Sequence, residues 1–201
     1  GSIVETIVAT RNPDGSPTAA PMGVTRVGPD LLEIKPFKSS TTHRNLLRGS
    51  DACVNVSGDP ELFLVTAFKG EATRGFKPAR IGEDLSMESA DASIHAEVLR
   101  AGEVSEERGR FTCRVDALEV RRRLPRAFSR GRAEAIEAIV HATRIRAFLK
   151  TGRGEDAEKL IKRFDECKGV VERVSTPSSP EVRVIETLEA LIERWREEAS
   201  R

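Results

Sequence analysis

The sequence has no tyrosine and a single tryptophan in 201 residues. A nucleic-acid surface built on base stacking would have to draw on its eight phenylalanines, most of which sit in apolar runs that read as core. Charge lacks a dominant sign as well. Lys plus Arg (33) nearly balances Asp plus Glu (32), so no global field favours nucleic acid. Three cysteines, Cys53, Cys113 and Cys167, are odd in number and far apart. That excludes a disulfide scaffold and a clustered zinc site, and points to a reducing cytoplasm. His43, His95 and His141 are equally scattered, and no metal site is expected, because ligand pairs normally come at short spacing. No apolar run approaches the roughly 20 residues that span a bilayer. No signal peptide is legible, and Gly1-Ser2 without a starting Met reads as a cloning remnant.

What is present reads as β first and α later. Ile3 to Thr10 is rich in Ile, Val and Thr, which suits a half-buried strand. Asn12-Pro13-Asp14-Gly15 supplies turn chemistry, and Thr18 to Val27 returns as the antiparallel partner. Leu31 to Pro36, Ala52 to Val56 and the very apolar Leu62 to Phe68 are further strand candidates. Ile94 to Arg100 and Phe111 to Val120 form a hairpin in this reading. The polar stretch from Lys69 to Ala92 reads as a loop over a site or a mobile insertion. Strands this closely spaced imply an antiparallel meander or small barrel.

Composition changes near Arg121, where RRRLPR reads as a solvated linker. Arg132 to Lys150 places Ile136, Ile139, Val140, Thr143 and Ala147 on one helical face. Glu155 to Lys168 repeats the pattern, with Gly169 following it. Ser179 caps a last helix that starts at Pro180 and lines up Ile185, Leu188, Ile192 and Trp195. The expected domains are therefore 1–124 and 125–201.

One stretch carries chemistry. Between Lys35 and Phe63, Ser39, Ser40, Thr41 and Thr42 stand in sequence, flanked by Lys38 and Arg44. A phosphate needs several donors and positive charge from one side, and a helix start adds backbone amides. The competing reading is that the run caps a short helix, with Leu46 and Leu47 on its buried side and the basic residues and His43 in solvent. A second stretch, Thr18 to Val24 (TAAPMGV), is small enough for a planar ring to approach its backbone, or is a sheet edge interrupted by Pro. Cys53 and Cys113 lie in apolar alternation and read as core thiols.

Taken together, Glu5 to Val24, Lys35 to Leu46, Cys53 to Phe63 and Arg126 to Arg144 resemble the domain of unknown function 447 family. That family is mainly archaeal and resembles in turn the flavin-binding split β-barrels, which include flavin reductases and pyridoxamine phosphate oxidases. The resemblance implies an α+β chain: an antiparallel split β-barrel of the FMN-binding type followed by a small C-terminal helical region. It implies FMN as cofactor, held near the interface of a homodimer, with no nucleic-acid or membrane partner. Carried onto this sequence, Lys38, Ser40, Thr41, Thr42 and Asn45 hold the phosphate and ribityl chain. Pro21, Met22 and Gly23 run beside the ring, and Asn55 reaches the same pocket. The activity implied is a flavin-reductase-like oxidoreductase. A deazaflavin- or pterin-dependent reductase and a non-catalytic flavin-binding module are the alternatives on the same fold.

Overall fold

The computed structural model describes residues 3–71, 75–122 and 129–199. Its chain divides into two compact units, one of residues 1–57 and 79–125, the other of residues 58–78 and 126–201.

The first unit is a closed barrel. β1 (Ile3–Arg11), β2 (Pro17–Arg26), β3 (Leu31–Ile34), β4 (Ala52–Val56), β5 (Ala92–Glu103) and β6 (Gly109–Val120) close in the order β1-β2-β3-β6-β5-β4. Every pairing is antiparallel, including the closing one between β4 and β1. The β1–β2 turn follows the chemistry of its residues. Gly15 takes φ +81°, and Asp14 accepts the Ser16 backbone N–H at 3.0 Å. Alternation sends Val8, Val24, Leu32, Ile34, Val54 and Phe111 into one core. A short helix, α1 (Thr41–Leu47), lies between β3 and β4 and adds Leu46 to that core. Leu47 points out and is 61% exposed, because the buried face of this short helix is the one carrying Thr42, Asn45 and Leu46, and the next position turns away from it.

The second unit is helical: α2 (Pro60–Ala67), α3 (Arg130–Lys150), α4 (Gly154–Val174) and α5 (Pro180–Ala199). The apolar run expected as a strand is α2. Asp59 caps it by accepting the Glu61 N–H at 3.0 Å, and Pro60 occupies its first turn. Its period was hidden because Leu62, Phe63, Leu64 and Val65 are all buried. Glu71, just beyond it, accepts from Arg194 at 3.0 Å and from Trp195 Nε1 at 3.2 Å, and also pairs with Arg146. Trp195 is thus a core anchor of this unit. The segment 58–78 therefore groups with the C-terminal helices although it precedes β5 in the chain.

The buried stripe of α3 differs from the expected one. Ala135, Ala138, Ile139, Ala142 and Ile145 are buried and Ala147 is exposed. Small residues at this spacing let α3 approach α4 closely. α4 runs through Gly169 to Val174, since its amphipathic period continues to Val171 and outweighs the cost of one glycine, about 1 kcal/mol. Among the described residues, no helix is long and apolar enough to cross a membrane.

Candidate functional site

The structure brings most of the chemistry-bearing stretch together at α1. Ser40 is the N-cap, and its hydroxyl accepts the His43 N–H at 3.1 Å. The capping role is therefore real for this serine. Arg44 folds back over the turn, donating to the Ser39 carbonyl at 2.8 Å and to Thr41 Oγ1 at 2.9 Å. Its guanidinium thus lies beside the hydroxyl run while remaining exposed. Lys38 reaches the same region and pairs with Glu103 at 2.6 Å. Thr42 is 3% exposed, and its hydroxyl has no hydrogen-bond partner among the described residues. Two cations and a spare hydroxyl thus gather between Lys38 and Arg44.

His43 is not in solvent. Its ring meets Phe111 edge-on at a centroid distance of 5.3 Å and lies over Gly109. A Cβ at Gly109 would come within 2.6 Å of that ring, so glycine is needed there. Burial, with the cations of Lys38 and Arg44, holds His43 below its ordinary value.

Two predicted ligands are already committed inside the protein. Asn45 donates to Thr10 Oγ1 at 3.0 Å and to Asn12 Oδ1 at 3.1 Å, and accepts from Arg48 at 2.6 Å. Asn55 is fully buried. Its amide donates to the carbonyls of Cys53 and Leu85, and its oxygen accepts from Met87 N at 2.8 Å and Ser93 Oγ at 2.9 Å. Both are pegs that hold backbone. Asn45 ties α1 to the end of β1, and Asn55 ties β4 to the loop at residues 85–87.

Pro21, Met22 and Gly23 lie on β2 opposite Ile7, Thr6 and Glu5 of β1, and each is half-buried. Met22 packs on the barrel core, and its carbonyl accepts from Thr6 Oγ1 at 2.9 Å. The space at Gly23 is taken by Ile3, whose Cγ2 lies 2.7 Å from where a Cβ would stand. Burial raises the thiols of Cys53 and Cys113 to about 11 each, so neither is a thiolate nucleophile at neutral pH. Of the arginines read as a solvated linker, Arg121 and Arg122 are exposed and also paired. Arg122 bonds Asp91 at 2.8 Å, and Arg121 bonds Ser93 and Glu119 at 2.7 Å each. Arg123 and Arg126 lie outside the described residues.

Comparison with known proteins agrees with this architecture. Residues 4–122 match the profile of the N-terminal domain of a protein family of unknown function, DUF447, and residues 129–193 match the family's second profile. The chain belongs to the DUF447 family. An FMN-bound DUF447 protein from Methanosarcina mazei superposes with a TM-score of 0.71 at 22% identity, covering 94% of each chain. The flavin reductase HpaC in complex with NADP+ superposes with a TM-score of 0.52 at 18% identity, covering 61% of this chain and 81% of its own. The styrene monooxygenase flavin reductase of Pseudomonas putida S12 gives 0.50 at 15% identity, covering 58% and 79%. This DUF447 chain therefore has the fold of a flavin-binding barrel, with the helical unit shared by the family relative.

Proposed function

We propose that this DUF447 protein binds FMN and works as an oxidoreductase of the flavin-reductase type. The observation that carries the reading is the α1 turn. Lys38, Arg44, Thr41 and the unpartnered Thr42 hydroxyl converge on a barrel of the same fold as an FMN-bound family member. In this reading Lys38 and Thr42 are the phosphate ligands, Ser40 and Thr41 flank them, and Pro21 to Gly23 lie along the ring. Asn45 and Asn55 act as positioning residues, since their amides are already bonded. Bound flavin supplies hydride and single-electron transfer, while the protein supplies binding, orientation and charge. No thiolate, triad or other nucleophile is required of the chain. The homodimer implied by the family resemblance belongs to this proposal, with exposed Ile3, Leu99, Leu118 and Val120 as its apolar surface.

The purified protein should show flavin absorbance as isolated or after FMN is added, and NADH or NADPH should bleach it. A protein that stays colourless with excess FMN would overturn the reading. Lys38→Ala should weaken FMN by about 1.5–3 kcal/mol, the range for a hydrogen bond to a charged group, and leave riboflavin unchanged. Equal losses for both ligands would remove Lys38 from the phosphate site.

A further inference from the structure

The barrel carries a second polar cluster that the flavin reading does not use. Asp84, His95 and Glu119 each place one ligand atom within 4.8 Å of the other two. Register brings the last two together. His95 pairs with Ala117 and Ser93 with Glu119, so His95 and Glu119 are diagonal neighbours on one face of β5 and β6. Asp84 arrives from the loop that Asn55 pegs through Leu85 and Met87. It is fixed there, accepting Ser86 N at 3.0 Å on Oδ1 and Ser86 Oγ at 2.7 Å on Oδ2. The same Ser86 hydroxyl lies 3.3 Å from His95 Nε2. Arg121 fixes Glu119 through Oε2 at 2.7 Å.

An ordinary ion pair does not explain this arrangement. His95 Nε2 and Asp84 Oδ2 are 4.0 Å apart, and Glu119 brings a second carboxylate to the same point. Two carboxylates this close repel, and of the two Arg121 bonds Glu119 and not Asp84. Asp84 and His95 also line a cavity of about 360 Å³. Asp51, Glu83, Glu97 and Asp116 share its wall with one arginine, Arg11. Arg114 pairs with Glu97 at 2.6 Å and with Asp116 at 3.5 Å, which leaves an excess of acidic groups around the opening. Such a wall concentrates cations beside the cluster.

We propose that Asp84, His95 and Glu119 bind a first-row divalent cation, with zinc preferred, whose remaining coordination positions open to the acidic cavity. One imidazole nitrogen and two carboxylate oxygens suit such an ion better than calcium or magnesium, which take oxygen alone. Zinc stands above manganese for a site of this kind. Bonds of about 2.0–2.2 Å need the three ligand atoms to draw in to roughly 3.4 Å from one another, a side-chain adjustment. Ser86 and Arg121 then serve as the outer partners that orient Asp84 and Glu119.

The test is calorimetric titration of the whole protein, stripped of metal, with Zn2+ and with Mn2+. The wild type should bind one Zn2+ per chain, more tightly than Mn2+. His95→Ala should weaken Zn2+ at least tenfold, and Asp84→Asn or Glu119→Gln severalfold each. His141→Ala, in the helical unit, should leave Zn2+ affinity unchanged. Melting curves with and without Zn2+ give a second readout, since the metal-induced rise in Tm should vanish in the ligand variants. Asp84 is 53% exposed at its side chain, so Asp84→Asn keeps the test alive should His95→Ala fail to fold. Zn2+ binding that is absent from the wild type, or unchanged in a folded His95→Ala or Asp84→Asn protein, overturns the proposal.

Discussion

The α1 turn and the Asp84 loop are two polar clusters of one barrel unit, built by the same device with opposite charge. Each rests on a buried asparagine that spends its amide on holding a loop. Asn45 fixes the turn carrying Lys38 and Arg44, and Asn55 fixes the loop carrying Asp84. In both cases the peg is inside and polar side chains are left over beside it. A conspicuous asparagine next to a candidate site is therefore a poor guide to what touches a ligand. The better guide is the set of polar groups that the fold does not use. At α1 these are cationic and hydroxyl-bearing, suited to an anion. At the Asp84 loop they are carboxylates and an imidazole, suited to a cation.

The comparison breaks most visibly at the pegs. Asn55→Ala removes five hydrogen bonds, to two carbonyls and from an N–H, a hydroxyl and the Cys53 thiol, in a buried setting. It should cost about 3–5 kcal/mol, because each buried polar group left unpaired costs about 1–3 kcal/mol. Asn45→Ala, nearer the surface and with three partners, should cost about 2 kcal/mol. Urea unfolding of the two variants checks the order, and a larger loss at Asn45 would reverse it.

Next in size is an effect on binding alone. Thr42→Ala should weaken FMN by about 1.5–3 kcal/mol while the melting temperature barely moves, since its hydroxyl holds no protein partner among the described residues. A drop in Tm with unchanged FMN affinity would make Thr42 another peg.

The smallest effect is one of pH. His43 is held below 6.5 in the fold by burial and by its cationic neighbours. The unfolded chain therefore binds more protons between the folded value and 6.5, and stability falls as pH drops through that window. His141 contributes with the same sign, since burial lowers it too. His43→Gln should flatten part of the acid limb, measured as the unfolding midpoint from pH 7 down to 5. An unchanged acid limb would place the whole dependence elsewhere.

Much of this was legible in the residues. The barrel strands, the Asn12 to Gly15 turn and the Pro180 start of the last helix follow from local alternation, turn chemistry and capping. The Ser39 to Thr42 run with Lys38 and Arg44 declared itself because its members are adjacent in sequence. The family resemblance joined that run to a flavin barrel. α2 resembles a strand in the sequence because a helix buried on most sides shows no period, although Asp59-Pro60 is a cap signal. Asp84, His95 and Glu119 gave no signal, since they lie on a loop and two strands and only closure of the β5–β6 hairpin brings them together.

By itself, then, the sequence determined the barrel strands, the long helices and the chemistry of the α1 turn, because caps, turns and periodic burial act between near neighbours. The tertiary structure decided which polar groups remain available. Hydrogen-bond satisfaction is settled only when distant partners arrive: Leu85, Met87 and Ser93 claim Asn55, Thr10 and Asn12 claim Asn45, and Phe111 draws in His43.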